Sequence, residues 1–125
     1  MMALIDEEMK KLIEEQKLSY VATASTDGRP NVSPKGSIIF IDGDTLAFAA
    51  VRSEKTVANL AQNPYTSVAV LDVGSRKGFQ FKGKAEMVKE GAVYNRVVTS
   101  LKKRLPHVPD PKFVVIVRVD EVYPF

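Results

Sequence analysis

Two short runs hold the residue types best suited to chemistry. The first is Arg52-Ser53-Glu54-Lys55-Thr56, where an apolar strand ends and a helix begins. The first amides of a helix lack intrahelical partners and point along the positive end of its dipole. A lysine and two hydroxyls at that point make a phosphate cradle. A capped helix with solvated charges explains the same residues equally well, and no glycine-rich GxxxxGK run marks a P-loop. The second run is Ser33-Pro34-Lys35-Gly36-Ser37. Proline and glycine bend a strand there and re-aim Lys35; a plain bulge with Lys35 in solvent is the competing reading.

Three further positions carry weaker signals. Gln80 lies on the polar side of an alternating strand, where its amide can both give and take hydrogen bonds; a solvated surface residue is the competing reading. Lys82 and Lys84 share that side and extend a positive groove, unless they form a solvated strand face. Arg76 and Lys77 read either as a charged loop tip or as groups reaching an anion across a dimer axis. Other chemistries are excluded. Without cysteine there is no thiolate catalysis and no cysteine metal site. His107, the single histidine, sits among prolines with no assured carboxylate neighbour, so no metal is expected. No GxSxG elbow supports Ser-His-Asp catalysis.

These residues need a scaffold, and hydrophobic periodicity outlines it. Ile5, Met9, Leu12 and Ile13 recur at helical spacing, with Asp6 as the cap. Strands follow at Leu18–Ala24, Asn31–Ile41 (interrupted by Pro34 and Gly36) and Thr45–Val51. Asp27-Gly28 and Asp42-Gly43-Asp44 make the hairpin turns between them. Glu54–Asn63 reads as a helix capped by Ser53, with Val57, Leu60 and Ala61 inward, and Asn63-Pro64 ends it. Thr66–Leu71 and Phe79–Met87 are strands, the second with Phe79, Phe81, Ala85 and Met87 on its apolar side. Glu90–Leu105 is a helix with a Val93, Val97, Leu101, Leu105 stripe. Phe113–Val119 is apolar enough to be an inner strand. The tail Val122–Phe125 is apolar, covered either by a partner subunit or by its own barrel. Six strands with hairpin connections and flanking helices hide their edges most simply as a mainly β (α+β), six-stranded antiparallel barrel.

The 125 residues suit a single domain, 1–125, of ordinary globular composition, 45% hydrophobic and 26% charged. The net charge of +3 favours an anionic ligand but is too small to indicate nucleic acid. A nucleic-acid-binding barrel would present aromatic platforms along a basic groove, whereas Phe79 and Phe81 face the core. The N-terminus turns charged too soon for a secretory signal. No apolar run reaches the roughly 20 residues that span a bilayer, so a cytoplasmic protein without membrane contact is expected.

The order helix, strand, TDGRPNVSPKG hairpin, IDGDTLAF hairpin, RSEKTVANLAQNP, TSVAVL and GFQFKGKAEMV resembles the pyridoxamine phosphate oxidase-like FMN-binding split-barrel family over Leu12–Val119. The resemblance implies a split barrel and a homodimer with FMN at the subunit interface. It implies that Lys55 and Thr56 hold the FMN phosphate, with Asn59 one helical turn on. Ser33 and Lys35 would line the flavin and ribityl chain, and the backbone of Ala49, Ala50 and Val51 would face the cofactor. Gln80 corresponds to a glutamine reaching the flavin from the facing strand, and Arg76 and Lys77 to groups approaching from the partner. The sequence ends near Phe125, so it is expected to lack the C-terminal segment with which true pyridoxamine phosphate oxidases bind substrate. It looks more like the short FMN-binding proteins and flavin reductases. The implied activity is an FMN-dependent oxidoreductase or electron carrier using a small-molecule donor or acceptor. The alternatives are a non-catalytic flavin store or sensor, or a relative that uses haem or a deazaflavin.

Overall fold

The computed structural model describes residues 4–125. The first helix, α1 (Glu7–Gln16), starts where Asp6 Oδ1 accepts the Met9 N–H at 2.9 Å, the expected cap. It ends at Lys17, held in the left-handed region with φ 59°. Ile13 is fully buried, and Met9 and Leu12 pack beside it. The strands β1 (Ser19–Ala24) and β2 (Pro30–Lys35) form a hairpin whose turn uses a positive φ at Gly28. Then come β3 (Ile39–Asp42), β4 (Thr45–Ala50), α2 (Glu54–Gln62), β5 (Tyr65–Asp72), β6 (Lys77–Val88), α3 (Ala92–Arg104) and β7 (Phe113–Pro124). Among the described residues, no helix is long and apolar enough to cross a membrane.

All seven strands join one antiparallel sheet in the order β2-β1-β5-β6-β7-β4-β3. This corrects the expected count of six. The segment Asn31–Ile41 is two strands, because Gly36–Ile38 leaves the ladder altogether instead of bulging within it. The break has a large consequence. Its two halves, β2 and β3, are the opposite edges of the sheet, yet three residues connect them. The sheet therefore curls until its edges meet at Gly36–Ile38. The hydrogen-bonded ladder stays open, and chain connectivity closes the curl.

The core follows from that curl. Leu46, Phe48, Val68, Val70, Phe81, Val115 and Val117 fill the concave side with Ile13. A second cluster of Ala47, Ala49 and Val114 lies beneath Val97 and Leu101 of α3. Strand β4 is thus buried on both faces, which explains its unbroken apolar run. Each large side chain so buried contributes about 1.5–3 kcal/mol. Where β6 meets β7 the register slips at Asp120, and Gly83 sits against the slip. A Cβ on Gly83 would stand 1.9 Å from the Arg118 carbonyl oxygen, so this close approach requires glycine.

Several local expectations change. Ser53 occupies the N-cap of α2 but makes no capping bond. Ala61 is exposed and Thr56, 1% exposed, packs inward beside Leu60 instead. Leu105 lies outside α3 and is exposed. The tail Val122–Phe125 continues β7: Val122 pairs with Phe81, Tyr123 with Gln80 and Pro124 with Phe79. The Phe125 N–H donates to the Gly78 carbonyl at 2.9 Å, although the Phe125 side chain stays 62% exposed. The tail folds onto its own sheet, where Val122 packs against the core.

Candidate cofactor site

Strand alternation turns Asn31, Ser33 and Lys35 of β2 to the same side as Val21 of the core, and Pro34 to the other side. Lys35 ends the strand just before the break, 7% exposed. Its Nζ donates to Ser53 Oγ at the start of α2. Among the described residues no carboxylate lies within 4.0 Å of this ammonium. Burial pushes the Lys35 pKa down. A buried cation without a counter-ion is costly unless a ligand supplies acceptors for its remaining N–H groups.

Ser53 Oγ in turn donates to the Val51 carbonyl at 2.9 Å. That bond explains the missing cap: the hydroxyl faces Lys35 and Val51, away from the amides of α2. The first helical amide with a backbone acceptor is that of Val57, which donates to Ser53 at 2.9 Å. The amides of Glu54, Lys55 and Thr56 are left for another acceptor, and the Lys55 side chain is exposed beside them. The Thr56 side chain is spent on packing, so its amide is the part turned to this helix end.

Two further bonds hold the break in place. Ser37 Oγ accepts the Ala49 N–H at 2.8 Å. Arg104, from the end of α3, donates to the Gly36 carbonyl. Between them lies a cavity of about 200 Å³ lined by Lys35, Ser37, Ala49, Val51, Arg104 and Leu105, among others. Ala50 points to the concave core and borders a neighbouring hollow with Arg52 and Ser53. Asn59 Nδ2 donates to Thr23 Oγ1 at 3.0 Å, tying α2 to β1, and Ser33 is half-buried on the same inner side.

The structure therefore brings Lys35, Ala49 and Val51 into one cavity and sets Lys55 and Thr56 at the adjoining helix start. It separates Gln80, Arg76 and Lys77 from them. Gln80 lies on the convex side of β6, where its Oε1 accepts the Ser67 hydroxyl at 2.7 Å. Arg76 ends the β5–β6 turn at φ 58°, and Lys77 opens β6 opposite Asp72. Ser37 and Arg104 are site residues that sequence reasoning missed. Ser37 stands inside the Ser33–Ser37 run already singled out, whereas Arg104 is 68 positions from its partner and carries no local signal.

Among the described residues, nothing covers the convex side around Gln80. It presents Tyr20, Val32, Tyr65 and Tyr123, with Val32 68% exposed. Lys82 lies 5.4 Å from the Tyr123 ring centroid and Lys84 5.2 Å from that of Tyr65. The polar side of β6 lacks aromatics of its own, but its neighbouring strands supply them. Phe79 and Phe81 point inward as expected.

A curled, open antiparallel sheet carries a buried cation beside an uncapped helix start. The family model described as pyridoxamine 5'-phosphate oxidase matches residues 5–125, and the chain belongs to that family. It is similar to HupZ of Group A Streptococcus, with 31% identity and a TM-score of 0.86, covering 98% of this chain and 94% of that one. An uncharacterised protein of Methanocaldococcus jannaschii is 31% identical over 121 residues, 95% of this chain and 79% of the relative. An FMN-binding protein from Syntrophomonas wolfei shares the fold at 19% identity, with a TM-score of 0.81 over 92% of this chain and 82% of its own.

Proposed function

We propose that the protein is an FMN-binding oxidoreductase or electron carrier that holds its cofactor at a homodimer interface. The observation that carries this reading is the Lys35 ammonium, buried without a carboxylate and bonded to Ser53 where α2 begins. The residues fit the group. Lys55 and the free amides of the first turn of α2 would hold the phosphate. Lys35 and Ser33 would line the flavin and ribityl chain, and the backbone of Ala49–Val51 would form the wall beside them. A bound flavin supplies the redox chemistry, and the chain binds, orients and shields it. The FMN-binding protein of Syntrophomonas wolfei supports the choice of cofactor through a shared fold.

The dimer rests on the convex face. Tyr20, Val32 and Tyr123 form an exposed apolar patch of the kind that marks interfaces. Gln80 stands on this face and Arg76 and Lys77 at its hairpin tip, so a second copy seated there would bring them towards the first copy's cofactor.

The absorption spectrum of the purified protein, followed by FMN titration under light scattering, tests both parts. Oxidised-flavin bands and a dimer are expected. A Soret band would replace FMN with haem, and a monomer that binds FMN at full affinity would refute the shared site. Oxidation of reduced nicotinamide by the loaded protein separates an enzyme from a flavin store.

A further inference from the structure

We infer a second anion site, distinct from the cofactor cavity, in the groove between the C-terminal end of α1, the edge strand β3 and the outer face of α3. The groove encloses about 400 Å³ and is lined by Glu14, Lys17, Ile38, Phe40, Arg96, Ser100 and Arg104, among others. Three cations converge there against one carboxylate. Glu14 lies 4.0 Å from Lys10, and among the described residues no carboxylate comes within 4.0 Å of Lys17, Arg96 or Arg104. The arginines are held by the backbone: Arg96 Nη2 donates to the Phe40 carbonyl at 3.2 Å, and Arg104 to that of Gly36. Those bonds fix each guanidinium while using only part of its five N–H donors.

The spacing selects the ligand. Arg96, Ser100 and Arg104 recur every four residues on α3, so the two arginines start about 12 Å apart along the axis, with a hydroxyl between them. Each guanidinium is pinned to a different carbonyl, Arg96 to Phe40 and Arg104 to Gly36, so the two do not fold together onto one phosphate. A chain of two or more phosphoryl groups can meet both, with Ile38 and Phe40 as an apolar wall for whatever it carries. The ligand class is therefore an oligophosphate, free or attached to a nucleoside. Arg104 also lines the Lys35 cavity, so the groove adjoins the cofactor site.

The test titrates the protein with tripolyphosphate, ATP and inorganic phosphate by calorimetry at low salt, with and without saturating FMN. Tripolyphosphate is expected to bind one per chain, at least tenfold tighter than phosphate, whether or not FMN is present. Arg96→Gln should weaken it about tenfold, the low end for a charge-assisted contact in a solvated groove, and Arg96→Lys should restore part of the loss. FMN affinity should not change in either variant, which keeps this outcome separate from the cofactor reading. Tighter binding of ATP than of tripolyphosphate assigns the apolar wall to the base, and equal binding assigns recognition to the phosphates alone. Equal affinity of Arg96→Gln and wild type for tripolyphosphate, or no saturable binding, would overturn the site.

Discussion

Replacing Lys35 by Met separates the site's function from its stability. Methionine keeps the length and apolar stem of lysine and removes only the charge. In the cofactor-free protein that charge is buried, unpaired with any carboxylate and bonded to a single hydroxyl. Its removal deletes one hydrogen bond, but Ser53 Oγ still donates to Val51, so no polar group is stranded. The relief of desolvation offsets the lost bond, as replacement of buried charges by apolar groups is commonly neutral or stabilising. The melting temperature of the apo-protein should hold or rise, by roughly 4 °C if the gain is about 1 kcal/mol. Cofactor binding should move the other way. A charge-assisted contact is worth about 1.5–3 kcal/mol, so affinity should fall by about ten- to a hundredfold. Because Lys35 is assigned to the flavin and ribityl part, the loss should appear with FMN and riboflavin alike. Lys55→Ala, at the phosphate, should weaken FMN only. Fluorescence titration and thermal melts of both variants read these outcomes. A Lys35→Met protein with wild-type affinity for both ligands, or one that melts several degrees lower, would show that Lys35 is a structural residue.

Three other outcomes are expected. Burial lowers the Lys35 pKa below its ordinary 10.5, so between the two values the unfolded chain holds the extra proton. Stability of the apo-protein should therefore rise with pH across that window and level off near 10.5, and Lys35→Met should remove the rise in chemical denaturation measured at stepped pH. Gly83→Ala should cost about 3 kcal/mol or more in urea denaturation, because its Cβ would meet the Arg118 carbonyl at 1.9 Å; a loss under 1 kcal/mol would mean the strands separate there easily. Tyr20→Asp places a charge on the convex face and should yield a monomer by light scattering, since an isologous interface would bury that charge twice; an intact dimer would put the interface elsewhere.

The types and order of the elements were legible in the sequence because each depends on a window of about ten residues. The α1 stripe with its Asp6 cap, the turn at Gly28 and the alternation in β6 all read correctly. So did the helix start at Glu54 that presents Lys55. Local pattern could not tell a bulge at Pro34–Gly36 from a full break at Gly36–Ile38, since both use the same proline and glycine; only the sheet order shows β2 and β3 as opposite edges. The same limit applies to Thr56 and Ala61, because helical spacing does not say which neighbour a face will meet. The site depends most on tertiary structure. Lys35 reaches Ser53 across 18 positions and Arg104 reaches Gly36 across 68. Those contacts exist because curling the sheet brings its edges together beneath the end of α3, a global closure that no short segment encodes.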